Sequence, residues 1–161
     1  ALEVGPGDAG IVGEGDVLAT RGPGAVLGIL TADCAPAIVW GDEGLAVVHA
    51  GWRGLVAGVV VAGTEAVGRP RAAWVGPCIH ACCYEVGPEV VEAFGSKGLP
   101  TAGDDRVDIG RATVVALRRA GVQHIAASEE CTGCDASSFF SHRRDGTTGR
   151  QGAFATLLEE S

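Results

Sequence analysis

The order of short apolar runs along this chain predicts an α+β (mixed α/β) domain, with mixed sheets centred on a hairpin and three helices. Three observations carry that prediction. Strand-length apolar runs come in clusters instead of alternating one by one with helices, which argues against a regular βαβ array. Two of them, Ala37 to Trp40 and Leu45 to Val48, flank a polar turn, Gly41-Asp42-Glu43-Gly44, and read as an antiparallel hairpin. Finally, 161 residues with 47% hydrophobic and 20% charged side chains make one domain over 1–161, long enough to bury about two thirds of its unfolded surface.

Taken in order, Ala1 to Gly15 is rich in Gly and acidic residues, with isolated apolar points at Leu2, Val4, Ile11 and Val12, and reads as a short strand and loop. Asp16 to Thr20 and Ala25 to Leu30 read as buried strands separated by the Arg21-Gly22-Pro23-Gly24 turn. The hairpin follows, and after it Gly51 and Gly54 allow close backbone approach on either side of Trp52 and Arg53. Leu55 to Val67 has the length and pattern of a helix, weakened at Gly58 and Gly63. A strand is expected at Ala72 to Val75, then a thiol-rich segment from Cys78 to Val86. A short helix is opened by Pro88 and runs to Lys97. After the loop Leu99 to Arg106, Asp108 caps a third helix whose apolar face is Ile109, Ala112, Ala116, Leu117 and Ala120, stopped by Gly121. Gln123 to Ala127 and Ala153 to Leu158 read as strands around a polar stretch from Cys131 to Gly152.

The hairpin has a chemical consequence. If Trp40 pairs with Leu45, then Pro36 faces His49 and Ala35 faces Ala50. Cys34, sharing a face with Pro36, lies diagonal to His49 at about 7 Å, within reach of a shared ion or a thiol–imidazole contact. A one-residue slip in register would send Cys34 to the other face.

Charge and composition exclude several function classes. A net charge of −8 repels a polyphosphate backbone, so a nucleic-acid partner is not expected, although Arg143, Arg144 and Arg150 can take one small anion. No apolar run approaches the roughly 20 residues of a membrane span, and no signal-peptide pattern opens the sequence. Six cysteines in such a chain fit a reducing, cytoplasmic setting, with reactive or metal-binding thiols rather than a disulfide framework. Neither a dinucleotide fingerprint nor a P-loop is present.

A thiolate and a neutral imidazole are good zinc ligands, so Cys34 and His49 together read as part of a catalytic metal site, which needs three protein groups and one open position. The competing reading is a buried packing thiol beside a structural histidine. Cys131-x-x-Cys134 has metal-knuckle spacing, but the nearest second pair, Cys82-Cys83, is adjacent in sequence and makes a poor partner, so no structural zinc is expected there. On that reading Cys78, Cys82 and Cys83 are packing thiols, while His80 and His124 are exposed. The segment from Phe139 to Arg150, F-F-S-H-R-R-D-G-T-T-G-R, reads either as a solvated loop with Arg–Asp pairing through Asp145 or as a clamp for phosphate or carboxylate. Arg53 can serve the same anion from the opposite side. Glu85 offers a general acid or base, against the commoner structural role.

T-A-D-C-A-P (Thr31 to Pro36), H-A-G-W-R-G (His49 to Gly54), G-P-C-I-H-A-C-C-Y-E-V from Gly76, and F-F-S-H-R-R-D-G-T-T-G-R together resemble the YfiH-like, laccase-domain family of purine nucleoside phosphorylases. The resemblance runs over nearly the whole chain. It implies a single compact layered domain and a zinc site of two histidines and one cysteine, with Cys34 and His49 as two of the three ligands and copper as the other metal to consider. The third ligand of the family is a histidine in an upstream Q-x-H motif. That motif does not occur here, so the chain is expected to lack the family's N-terminal segment. The implied activity is phosphorolysis of adenosine, inosine or methylthioadenosine, with adenosine deamination second. Cys34 and His49 would then be catalytic, while Arg53 and Arg144 would bind phosphate beside the purine nucleoside.

Three other readings remain. Copper polyphenol oxidation needs several copper centres rich in histidine, and four histidines in all argue against it. A metal-independent cysteine hydrolase, such as an amidase on cell-wall precursors, would use Cys34 as nucleophile and His49 as base. A truncated, inactive domain that binds a nucleoside is the non-enzymatic alternative. The sequence leaves the oligomeric state open.

Overall fold

The computed structural model describes residues 1–159. In chain order its elements are β1 (Leu2–Glu3), β2 (Val17–Thr20), β3 (Val26–Thr31), β4 (Ala35–Gly41), β5 (Gly44–Ala50), α1 (Trp52–Ala57), α2 (Val59–Ala66), β6 (Pro70–Val75), α3 (Pro88–Ser96), α4 (Ile109–Arg119), β7 (His124–Ala127), α5 (His142–Asp145) and β8 (Gln151–Thr156). The mixed α+β class is as expected. The helices number five among the described residues where three are expected. One reason is that the first expected helix breaks at Gly58, whose left-handed backbone (φ 88°) both ends α1 and starts α2. The other is α5, a single turn inside the polar stretch.

A six-stranded sheet in the order β1-β2-β5-β4-β6-β7 is centred on the hairpin, and β3 and β8 form a separate two-stranded sheet. The hairpin strands are buried on both faces, which explains why they read as nearly continuous small and β-branched apolar runs. One face, carrying Ala37, Val39, Ala46 and Val48, packs against Val60 of α2 and Ala112 and Leu117 of α4. The other, carrying Val47 with Ile38 and Leu18, packs against Leu27 and Ile29 of β3 and Ala155 of β8. The result is a helix layer, a central sheet and a smaller sheet.

The hairpin register is the expected one: Trp40 pairs with Leu45, Pro36 with His49 and Ala35 with Ala50. Its turn is closed from outside by the ion pairs Asp42–Arg71 and Glu43–Arg21. The expectation of two fully buried strands at 16–20 and 25–30 needs correction for the second. β3 buries Leu27 and Thr31 but leaves Val26 67% and Leu30 63% exposed, because only one face of the small sheet has a layer to pack on. Among the described residues no helix is long and apolar enough to cross a membrane.

Asp108 caps α4 as the sequence predicts, its Oδ1 accepting from the Arg111 N–H at 2.7 Å. The same carboxylate lies 3.1 Å from His80 Nδ1. His80 is thus half-buried and paired, which corrects the expectation that it is free at the surface. Replacing Asp108 with Ala removes both partners, and urea denaturation should show a loss of about 1 to 2 kcal/mol. A change within a few tenths would show that the cap contributes little.

Candidate active site

The chain leaves β3 in one sheet and enters β4 in the other within three residues. Asp33 makes that switch with a positive φ of 94°, a conformation that Asp tolerates better than most residues. Its carboxylate is buried, and it accepts the Thr132 hydroxyl at 2.7 Å and the Arg143 N–H at 2.7 Å. Cys34 follows directly. Gly51 lies beside it on the neighbouring strand end, close enough that a Cβ there would stand 3.0 Å from the Cys34 sulfur. A larger residue at 51 would press on the thiol, which lies beside this position two residues along from His49.

His49 is the cross-strand neighbour of Pro36 on one side and of Asp16 on the other, where its N–H donates to the Asp16 carbonyl at 2.8 Å. The Asp16 carboxylate lies 3.0 Å from His49 Nδ1. A carboxylate oxygen only accepts, so Nδ1–H is the donor in this contact, which leaves Nε2 as the acceptor atom of that tautomer. This is the arrangement by which a carboxylate orients an imidazole for a metal ion. Asp16 was not legible as a site residue in the sequence, because its role depends on β2 pairing with β5, a non-local pairing with no short turn to fix it.

The Cys34 thiol is held above its ordinary pKa, first by burial and then by the charges of Asp33 and Asp16, with Arg150 acting in the opposite direction. A protonated buried thiol is a poor nucleophile, whereas a divalent cation displaces its proton. A soft sulfur and an imidazole are two donors of the kind that suits a zinc-type ion, while the neighbouring carboxylates are engaged within the protein, Asp33 with Thr132 and Arg143 and Asp16 with His49.

The arginines divide. Arg53, at the start of α1, is exposed and stacks its guanidinium 4.5 Å from the centre of the Trp52 ring. The expectation that Arg144 grips phosphate requires correction, because its N–H groups are already committed within the protein. Nε donates to Asp145 (2.8 Å), Nη2 to Asp145 (2.7 Å) and to the Phe139 carbonyl (2.9 Å), and Nη1 to the Thr132 carbonyl (2.8 Å). Arg143 stacks over Tyr84 and donates to the Glu85 carbonyl. Arg150, whose charge reaches Cys34, donates among the described residues through Nη1, to the Thr148 and Gly149 carbonyls.

A second sulfur cluster, against which the adjacency of Cys82 and Cys83 in sequence argues, is present. Cys82, Cys83, Cys131 and Cys134 place their sulfurs within 4.8 Å of one another. Cys82 and Cys83 converge because they lie in a tight turn, where neighbouring side chains do not point to opposite sides as they would in a strand. Their thiols are not passive packing groups. Burial opposes ionisation of Cys131, but donors from the His80 N–H, the Cys82 thiol and the Cys134 N–H bring it down to about 7. Its hydrogen bond to Cys134 and then burial push Cys83 up to about 11.

Comparison with known proteins places this geometry. The family model described as multi-copper polyphenol oxidoreductase laccase matches residues 2–158. Purine nucleoside phosphorylase YfiH of Shigella flexneri is 39% identical over 148 residues, covering 84% of this chain and 61% of that protein. Adenosine deaminase RL5, from an unknown prokaryotic organism, is 38% identical over 165 residues, covering 91% of this chain and 63% of that protein. The chain thus spans about three fifths of the length of these relatives. Among solved structures, YlmD from Geobacillus stearothermophilus superposes with a TM-score of 0.79 at 35% identity, over 89% of this chain and 61% of that one. Bacillus licheniformis YfiH gives 0.79 at 30% identity, over 89% and 61%. With its motifs, its fold and nearly all of its residues matched, the chain belongs to the YfiH-like, laccase-domain family.

Proposed function

We propose that this protein is a metal-assisted purine nucleoside phosphorylase acting on adenosine, inosine or methylthioadenosine, with adenosine deamination as a second activity, and that Cys34 and His49 are its catalytic metal ligands. The observation that carries the proposal is the cross-strand row at one end of the central sheet. There Asp16 orients His49, and Gly51 makes room for the Cys34 sulfur beside it. The names of the relatives, purine nucleoside phosphorylase and adenosine deaminase, support the substrate class.

Zinc, with copper as the other metal to consider, would supply Lewis-acid polarisation at this site. The remaining work falls to the chain. In phosphorolysis a phosphate oxygen forms a bond to C1′ of the ribose while the glycosidic C–N bond breaks. The electron pair leaves with the purine, which takes up a proton. Bringing a phosphate anion to a protein of net charge −8 requires local cations. We assign that role to Arg53, four residues after His49 and exposed beside Trp52, and to Arg150, whose charge reaches Cys34, and give Arg144 the task of holding α5 against the 132–133 turn. The metal-independent hydrolase reading is weakened by the raised pKa of the Cys34 thiol.

Four sets of outcomes test this. Cys34→Ala and His49→Ala should each abolish nucleoside phosphorolysis. Asp16→Asn, which keeps the fold, should weaken metal binding about 10- to 100-fold as measured by competition with a chromogenic chelator. Unchanged affinity in Asp16→Asn would remove the orienting role. For the anion, Arg53→Ala and Arg150→Ala should raise the KM for phosphate about tenfold each. Arg144→Ala should instead lower the melting temperature and leave that KM within about twofold. A phosphate KM sensitive only to Arg144 would overturn the reassignment. Finally, chelation should abolish activity and zinc should restore it, while iodoacetamide should react slowly with Cys34 in the metal-free protein at neutral pH. Activity that survives complete metal removal but not alkylation would establish the hydrolase instead.

A further inference from the structure

We propose that Cys82, Cys83, Cys131 and Cys134 form a second metal site, a closed four-thiolate site for a zinc-class divalent ion that fastens two loops beside the candidate active site. It is separate from Cys34 and His49 and does not depend on the role assigned to those residues.

The geometry is the first support. A zinc ion with bonds of about 2.3 Å to four tetrahedral sulfurs requires sulfur–sulfur distances of about 3.8 Å. The four sulfurs here lie within 4.8 Å of one another, with Cys82 3.3 Å and Cys83 3.1 Å from the Cys134 sulfur. A single ion can therefore reach all four with small side-chain adjustments. Cys131 and Cys134 provide the two-residue spacing of a metal knuckle, and the His80 N–H donates to the Cys131 sulfur at 3.4 Å, a contact that favours the thiolate. Gly133, inside the knuckle, is the residue on which the second turn rests. A Cβ there would stand 2.7 Å from the Cys83 Cβ and 3.2 Å from its sulfur, so any larger residue would force the two pairs apart.

Charge is the second support. Binding breaks four S–H bonds, forms four metal–sulfur bonds and releases four protons to solvent, leaving a site of net charge −2. Two guanidinium groups already brace the same two turns. Arg106 donates to the carbonyls of Ala81 (3.1 Å) and Cys82 (3.0 Å), and Arg144 donates to those of Thr132 (2.8 Å) and Gly133 (3.4 Å). Both cations therefore sit at the turns that carry the ligands, although Arg144 is also paired with Asp145 and Arg106 lies 3.9 Å from Glu85 and Asp105. With four protein ligands no position is left for substrate, so the site is structural. What it holds in place is visible from Thr132, which lies between two of the ligands and donates its hydroxyl to the Asp33 carboxylate next to Cys34.

The test is metal content of the full chain, purified under reducing conditions. In a Cys34→Ala/His49→Ala double variant, about one zinc per chain should remain, and cobalt substitution should give the strong sulfur-to-metal charge-transfer band and tetrahedral ligand-field bands of a four-sulfur site. Adding Cys83→Ser and Cys134→Ser to that variant should remove both the ion and the spectrum. In case those serines prevent folding, the wild-type protein offers a second readout. Zinc should protect Cys82, Cys83, Cys131 and Cys134 from iodoacetamide, as identified by peptide mass and read separately from any protection of Cys34, and chelation should expose those four. The proposal is overturned if the Cys34/His49 double variant retains no metal. A cobalt spectrum unchanged by Cys134→Ser, equal alkylation with and without zinc, or an intact mass showing a disulfide within the cluster in the reduced preparation would overturn it equally.

Discussion

Asp33 is the residue on which the site depends. Between β3 in the small sheet and β4 in the central one the chain has only residues 32 to 34 in which to change layers. It does so through a left-handed aspartate, a backbone state that costs on the order of 1 to 3 kcal/mol and persists only where its surroundings determine it. Three contacts do so. The carboxylate takes the Thr132 hydroxyl and the Arg143 N–H, and the Asp33 carbonyl takes the Ile79 N–H at 2.8 Å. Segments far apart in sequence thus meet at one buried aspartate, whose polar side chain would be costly to leave unpaired. Cys34 inherits its position from this knot.

How far the sequence reveals such a knot depends on how local each contact is. The hairpin register was legible because a short turn leaves few pairings for two apolar strands. The Asp108 cap and the helix it starts were legible for the same reason. By contrast, Asp16 gains its role only through the pairing of β2 with β5, and nothing in residues 16–20 names that partner. The commitment of Arg144 was illegible too. Its motif is equally consistent with an open clamp, and only the folded loop shows carbonyls from residues 132 and 139 converging on it. The sulfur cluster joins residues about fifty positions apart, and adjacency misled the reading of Cys82-Cys83 because alternation applies to strands and not to the turn they occupy.

The two sulfur environments also differ in a way that follows from their neighbours. Around Cys131, donors reach the sulfur and offset the cost of burial, so a thiolate is accessible near neutral pH. Around Cys34 burial raises the thiol pKa most, and the carboxylates of Asp33 and Asp16 add to it. The residue that fixes the Cys34 backbone thus also adds to the cost of ionising its sulfur. On the reading proposed here that is no conflict. A field from Asp33 and Asp16 that disfavours a bare thiolate favours a divalent cation by the same Coulomb term, so one pair of carboxylates both positions the ligands and selects positive charge over free nucleophile. Since Thr132 links Asp33 to the Cys131–Cys134 turn, order imposed on that turn passes to the Cys34 backbone through a single hydrogen bond of 2.7 Å. That link gives the loops flanking the candidate site a common mechanical origin, even though the two sulfur groups share no ligand.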